Sequence, residues 1–237
     1  MNAVYFFGTC LVDVFYPNAG LAAIRLLERE GIRVIYPQAQ TCCGQPAFNS
    51  GFQADARAVA RAQIALFPGD LPIIVPSGSC AAMMQHHYPA LFDGDAEVVA
   101  FANRIHELTD FLVNVVGVKL RDCGEPVRVA WHASCHALRE MGVNEQPKSL
   151  LRQLENVDLA ELSRERECCG FGGTFSVRYR AISKAMVADK VADIEATRAT
   201  EVLSADCGCL MNIARALTPP MRARHIAEFL WERTRER

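Results

Sequence analysis

The most distinctive feature of the chain is a pair of adjacent cysteines followed by glycine, which occurs at residues 42–44 and again at 168–170. A single cysteine lies 32 or 33 positions before each pair, and another lies 37 or 40 positions after it. The spacing defines a first quartet, Cys10, Cys42, Cys43 and Cys80, and a second quartet, Cys135, Cys168, Cys169 and Cys209. Two sets of four thiols at matched separations predict two metal sites with four thiolate ligands each.

Composition favours metal ligation over cross-linking. The chain has 237 residues, 51% of them apolar, and ten cysteines. A chain of this size can bury a full core without disulfides. Adjacent cysteines also cannot bridge each other without backbone strain.

Charge and hydropathy exclude other classes of protein. The net charge is −2, and no basic stripe indicates nucleic acid binding. The first eight residues are typical of a buried strand and lack the basic start of a signal peptide. No apolar run approaches the roughly 18 residues that span a bilayer. We therefore expect a cytoplasmic protein without a transmembrane segment.

Hydrophobic periodicity predicts alternating strands and helices in both halves of the chain. Strands are predicted at 4–7, 32–36, 71–75, 96–101, 127–131, 157–162 and 201–204. Helices are predicted at 18–30, 53–66, 104–116, 175–196 and 221–234. The second half thus repeats the order of the first.

This order predicts an α/β fold of two tandem pseudo-repeats, each a parallel sheet with helical crossovers, related by a pseudo-two-fold axis. The predicted domains are residues 1–118 and 126–237. All eight quartet cysteines follow predicted strands, and ligands of such sheets bind at the carboxyl ends of the strands. We expect the first quartet to converge on one sheet edge and the second quartet on another.

The wide spacing of the cysteines favours an iron–sulfur cluster over zinc. Structural zinc sites usually take ligands from close C-x₂₋₄-C pairs, which the quartets lack. Two adjacent cysteines can reach two iron atoms of one cluster because their side chains diverge. Gly44 and Gly170 would let the backbone approach the inorganic core. Backbone N–H groups near Gly172 and Gly173 could bond to the sulfides.

Four segments resemble the cysteine-rich CCG-domain family: residues 41–51, 76–83, 132–140 and 167–176. Within that family the chain is similar to an iron–sulfur component of a three-protein L-lactate oxidation system. We expect one or two iron–sulfur clusters per chain, of the [4Fe–4S] type. The resemblance also implies two partners, a ferredoxin-like iron–sulfur protein and a further subunit of a lactate oxidation complex.

The chain departs from a more distant relative, the B subunit of heterodisulfide reductase. That relative has a fifth cysteine in each motif and a non-cubane cluster, whereas this chain has Ser77 and Asp206 at those positions. Four thiolates suit an ordinary cube. Cys207 is either an additional ligand or a bystander, and the first quartet is either a second cluster site or a degenerate one.

Other residues allow two interpretations each. His132 and His136 flank Cys135 and are either groups that support the ligands or a proton relay or substrate contact. Three arginines near the second quartet are either solvated or able to bind a carboxylate substrate: Arg139, Arg178 and Arg180. Cys123 lies outside the pattern and is predicted to be an ordinary thiol. No catalytic residue is assigned.

Three functions are compatible with these patterns. The first is an electron-transfer subunit of an L-lactate-oxidising complex. The second is a thiol–disulfide redox subunit like heterodisulfide reductase, against which the missing fifth cysteines weigh. The third is a zinc-stabilised scaffold without catalytic activity. The chain lacks a G-x-G-x-x-G fingerprint, so we expect it to bind neither flavin nor nicotinamide by that route. Hydride removal from lactate would then require another subunit or unusual cluster chemistry.

Overall fold

In the computed structural model, which describes residues 2–235, eight strands form two four-stranded sheets. The first sheet contains β1 (Ala3–Phe6), β2 (Arg33–Ile35), β3 (Ile73–Val75) and β4 (Ile105–Glu107). The second contains β5 (Val127–Trp131), β6 (Val157–Ala160), β7 (Glu201–Ser204) and β8 (Arg222–His225). Residues 1, 236 and 237, which the predicted domain ranges include, lie outside the described part.

Both sheets are entirely parallel and have the same strand order, β2-β1-β3-β4 and β6-β5-β7-β8. In each sheet the second strand in sequence pairs with one side of the first strand, and the third strand pairs with the other side. The crevice of such a sheet opens at this switch point, between β1 and β3 and between β5 and β7. The predicted α/β class with two parallel sheets is confirmed.

The helices of residues 2–235 connect and cover these strands. They are α1 (Cys10–Phe15), α2 (Pro17–Arg29), α3 (Gln45–Asn49), α4 (Gln53–Ile64), α5 (Gly78–Ala82), α6 (Tyr88–Leu91), α7 (Ala96–Ala102), α8 (Leu108–Asp110), α9 (Cys135–Arg139), α10 (Glu145–Arg152), α11 (Phe175–Arg178), α12 (Arg180–Ala196), α13 (Cys207–Ala214) and α14 (Ile226–Thr234). Two π-helical segments, Met83–His87 and Phe111–Val116, follow α5 and α8. None of these helices combines the length and apolar composition needed to cross a bilayer.

Four predicted elements were wrong in type or extent. Residues 96–101 form helix α7, because the Asp95 carboxylate caps its first turn by accepting hydrogen bonds from the N–H groups of Glu97 and Val98 at 2.9 and 3.2 Å. The predicted helices 104–116 and 221–234 each begin with an edge strand, β4 or β8. The predicted helix 175–196 is divided at Tyr179 into α11 and α12.

One apolar core spans both sheets. It includes Phe6 and Ile74 from the first sheet, Trp131 and Leu203 from the second, and Phe229 of α14. Helix α14 packs on α2, so the last helix of the chain covers the first half. This shared core holds the carboxyl ends of the two sheets in a defined relation.

Candidate metal centre

The single cysteines of each quartet lie at the start of the helices that follow the central strands. Cys10 and Cys135 are the first residues of α1 and α9, and they follow β1 and β5. Thr9 and Ser134 cap these helices: their hydroxyl oxygens accept hydrogen bonds from N–H groups three residues on, at 3.4 and 3.2 Å. Cys80 and Cys209 lie in α5 and α13, after β3 and β7. All four therefore border the switch points.

The two pairs of adjacent cysteines lie in loops, and in each loop the glycine that follows the pair forms a tight turn. Gly44 and Gly170 have φ angles of 85° and 78°, a backbone conformation that residues other than glycine rarely adopt. Their N–H groups donate hydrogen bonds to the Sγ atoms of Cys42 and Cys168, at 3.4 and 3.3 Å. The two loops therefore present their first sulfur to a backbone amide in the same way.

The carbonyl of the second cysteine in each pair is anchored from a helix of the same half. The Tyr88 hydroxyl donates to the Cys43 carbonyl at 2.9 Å. The Asn212 side-chain amide donates to the Cys169 carbonyl at 2.7 Å. Both anchoring side chains are buried, so each pair is held on a rigid support.

Within the first quartet the sulfurs form a chain of contacts. The Cys43 Sγ donates to the Cys80 Sγ at 3.4 Å, and Cys42 contacts both Cys10 and Cys43. Hydrogen bonds from Cys10 and Cys43 lower the pKa of Cys42 to about 3. The same bond, together with burial, raises the pKa of Cys10. The quartet thus carries one thiolate stabilised by its neighbours.

The second quartet repeats this arrangement. Contacts run from Cys135 to Cys168, then to Cys169, then to Cys209. Hydrogen bonds from Cys135 and Cys169 lower the pKa of Cys168 to about 2, whereas the pKa of Cys169 is raised. The structure therefore brings the four cysteines of each predicted set together.

The two quartets line one cavity of about 190 Å³. Each quartet lies at the edge of its own sheet, and the two crevices open toward each other, an arrangement that the sequence did not predict. At the rim the Ser50 and Thr174 hydroxyls of the two loop regions are 3.0 Å apart. Helices α5 and α9 pack closely, and a Cβ on Gly78 would lie 2.4 Å from the Cβ of Ala137.

Asp206 joins the halves at the back of the cavity. Its Oδ1 accepts hydrogen bonds from the Ser77 hydroxyl at 2.8 Å, the Ser79 N–H at 3.0 Å and the Ser79 hydroxyl. The His225 Nε2 lies 3.0 Å from the carbonyl oxygens of both Pro76 and Ala205, which adds a second bridge. Sequence reasoning marked Ser77 and Asp206 only as positions without a fifth cysteine and missed that they pair.

The two flanking histidines differ in environment. His132 is buried, and neither ring nitrogen has a hydrogen-bond partner within residues 2–235. Burial lowers its pKa to about 4, so the ring is neutral at pH 7. His136 is half-buried at the cavity wall, with Nδ1 3.5 Å from the Cys135 Sγ.

The remaining glycines and cysteines considered from the sequence differ in whether they line the cavity. Gly172 and Gly173 line the cavity, as does Cys207. Cys207 is buried beside Val12 and Ala19, and burial raises the pKa of its thiol. Cys123 is exposed and far in sequence from either pair.

The three arginines for which the sequence left open solvation or substrate binding do not line the cavity within the described residues. Arg139 donates to the Arg166 carbonyl at 2.9 Å, and Arg178 and Arg180 are exposed. Of the two phenylalanines of this region, Phe171 lines the cavity and Phe175 does not. Among residues 2–235, no arginine or lysine side chain lines the cavity to pair with a carboxylate.

The donor set fits a thiophilic metal or cluster. Each quartet offers four sulfurs in a chain of pairwise contacts, one of them stabilised as a thiolate, and soft thiolates favour zinc, copper(I) or iron–sulfur clusters. A Cβ on Gly170 would approach Met186 and Ser183 within 3 Å, so the loop has no room for a bulkier residue.

The fold and the two thiol quartets define a tandem cysteine-rich-domain protein. The cysteine-rich domain family CCG matches the chain twice, at residues 4–85 and 129–214. A solved structure of a hypothetical protein from Helicobacter pylori has a TM-score of 0.65 at 10% identity, covering 100% of this chain and 49% of that one. This likeness concerns the fold alone.

Two curated relatives identify the family of the chain more closely. Lactate utilization protein A 2 of Bacillus cereus (strain Q1) is 44% identical over 234 residues, covering 96% of this chain and 97% of its own. Lactate utilization protein A of Geobacillus sp. (strain WCH70) is 44% identical over 236 residues, covering 96% and 98%. The chain belongs to the lactate utilization protein A family of CCG-domain proteins.

Proposed function

We propose that the chain is an iron–sulfur electron-transfer subunit of a cytoplasmic complex that oxidises L-lactate to pyruvate. The observation that carries this proposal is the pair of thiol quartets lining one cavity in a chain whose relatives are named for lactate utilization. Its partners would be a ferredoxin-like iron–sulfur protein and a further subunit of the complex.

The proposed ligands are the eight quartet cysteines, four to each centre. An iron–sulfur cluster, of the [4Fe–4S] type in this proposal, supplies reversible one-electron transfer when bound. The thiolates of Cys42 and Cys168 are held by backbone N–H groups, which stabilise negative charge on sulfur. Apolar side chains around the quartets, such as Phe171 and Leu11, limit the access of water.

Oxidation of lactate to pyruvate releases two electrons and two protons. Since the cavity wall carries no cationic anchor among the described residues, we place lactate binding on a partner subunit. Two centres that share one cavity would then pass the electrons onward one at a time. This division of labour agrees with the absence of a dinucleotide fingerprint from the sequence.

One observation favours a second candidate, a thiol–disulfide redox subunit. Both quartets line the same cavity, so a small disulfide bound there could contact both. The positions that carry the fifth cysteines in heterodisulfide reductase B instead hold Ser77 and Asp206, which bond to each other. Turnover assays with lactate and with disulfide substrates, run on the reconstituted complex, would separate the two functions.

The central experiment is metal and sulfide analysis of protein purified without oxygen. We expect iron and acid-labile sulfide, a brown colour and an electron paramagnetic resonance (EPR) signal after reduction. Stoichiometric zinc without iron would contradict the proposal and support the zinc-stabilised scaffold.

The Cys169→Ser variant tests the ligand assignment. Loss of the Cys169 sulfur, which lies between Cys168 and Cys209, should remove the iron of the second quartet and abolish growth on lactate. The matched control is Cys123→Ser, an exposed cysteine outside the cavity, which should keep both. An unchanged iron content in Cys169→Ser would refute the assignment.

A further inference from the structure

His132 is a buried imidazole without a partner at the second quartet. It follows β5 directly, and its backbone N–H donates to the Leu203 carbonyl at 2.8 Å, which fixes the main chain. The side chain is 1% exposed, and within residues 2–235 neither Nδ1 nor Nε2 makes a hydrogen bond. Buried polar groups in folded proteins are almost always paired, so such a group requires an explanation.

The His132 ring lies near two sulfurs of the second quartet. A ring nitrogen of His132 and the Sγ atoms of Cys169 and Cys209 all lie within 4.8 Å of one another. Nitrogen and sulfur ligands of one metal ion, with bonds of about 2.0 and 2.3 Å, can lie no more than about 4.4 Å apart. Only a small movement is therefore needed for all three atoms to contact one metal.

Within the described part of the chain, the first quartet has no histidine in the equivalent place. Three residues before Cys10 stands Phe7, as His132 stands three residues before Cys135. Phe7 is fully buried and packs edge-on against Phe67, with ring centroids 6.0 Å apart. The two halves therefore have the same pattern of cysteines but differ in the residue three positions before the first cysteine of each quartet.

From this geometry we infer that His132 is a fifth ligand, through a ring nitrogen, of the metal centre at the second quartet. The inference rests on the proposed iron–sulfur function and adds to it an asymmetry between the two centres. A neutral imidazole bound in addition to the four thiolates changes the ligand set of one iron, and ligand identity is one of the factors that set the potential of iron–sulfur centres. The two centres should therefore differ in potential.

The test is pulsed EPR of the full chain, purified without oxygen after growth with ¹⁵N-histidine. We expect a strong nitrogen coupling in the wild-type protein, a size typical of direct iron ligation. His132→Gln should lose this coupling, whereas His136→Gln, which alters the histidine that lines the cavity beside Cys135, should keep it. A redox titration should show two potentials in the wild type and a shifted second potential in His132→Gln, with the first potential unchanged.

Two other outcomes would contradict the inference about His132 or the proposed function. A coupling no larger than that of a hydrogen-bonded group, or one that persists in His132→Gln, overturns the inference. Measurement of the wild-type protein decides the point even where His132→Gln does not fold. Iron and sulfide content is measured on the same sample, so that a protein without iron refutes the proposed function, whereas an iron-loaded protein without the coupling refutes only the role of His132.

Discussion

Gly170 shows how a single residue shapes the second cysteine pair. Its φ of 78° turns the loop so that its N–H reaches the Cys168 sulfur. A Cβ at this position would lie 2.8 Å from the Cβ of Met186 and 2.9 Å from the Ser183 carbonyl oxygen. Both the backbone conformation and the contact with α12 therefore require glycine.

Replacement of this glycine by alanine should destabilise the protein for both reasons. Gly31→Ala is the matched control, because Gly31 has a φ of 75° and no atom lies near enough to clash. We expect the control to cost about 1–2 kcal/mol from the left-handed conformation alone. Gly170→Ala should cost about 1–3 kcal/mol more, from overpacking. Urea unfolding of the reduced, metal-free proteins measures both, and equal losses would argue against the contact.

At the scale of elements, the switch points and helix caps place the cysteines. Helices α5 and α13 follow the third strand of each sheet and meet through Asp206, which is buried. Its carboxylate accepts three hydrogen bonds from Ser77 and Ser79. This contact links the Cys80 helix to the Cys209 helix across the cavity.

Removal of the Asp206 carboxylate should weaken this link. Asp206→Ala leaves a buried hydroxyl and a backbone N–H without their acceptor, which should lower the free energy of unfolding by about 2–3 kcal/mol. In Asp158→Ala the lost partner is an exposed ion pair with Arg128, and the effect should be about 0–1 kcal/mol. Urea unfolding compares the two variants, and similar losses would show that Asp206 is not a structural link.

At the scale of the whole molecule, the shared core and the contacts between halves determine the cavity. Glu107, at the end of β4, is fully buried beneath this region. Its Oε2 accepts hydrogen bonds from the Thr109 N–H, the Thr109 hydroxyl and the Asp110 N–H at 2.7, 2.5 and 3.0 Å. Burial nevertheless raises its pKa from 4.5 to about 7, and Asp206 adds to the shift.

This pKa makes global stability depend on pH. Between pH 4.5 and 7 the folded protein holds a proton on Glu107 that the unfolded chain has lost, so stability falls as pH rises. The shift corresponds to about 3 kcal/mol. Glu107→Gln should abolish this fall, so that the variant gains stability relative to the wild type between pH 5 and pH 8.

Urea unfolding of both proteins at the two pH values tests this prediction. The other titrating groups are common to both and cancel in the difference. Parallel stability curves for the wild type and Glu107→Gln would show that Glu107 titrates normally.

The sequence alone determined the repeat, the α/β class and the membership of each quartet, because cysteine spacing and strand periodicity are local signals. Strands β4 and β8 could not be predicted, since Ile105–Glu107 and Arg222–His225 are extended only through pairing with β3 and β7. Only the tertiary structure decided that the quartets face one cavity, that Asp206 bonds to Ser77, and that the His132 ring has no partner within the described residues. These features depend on the packing of one half against the other, which no spacing within either half encodes.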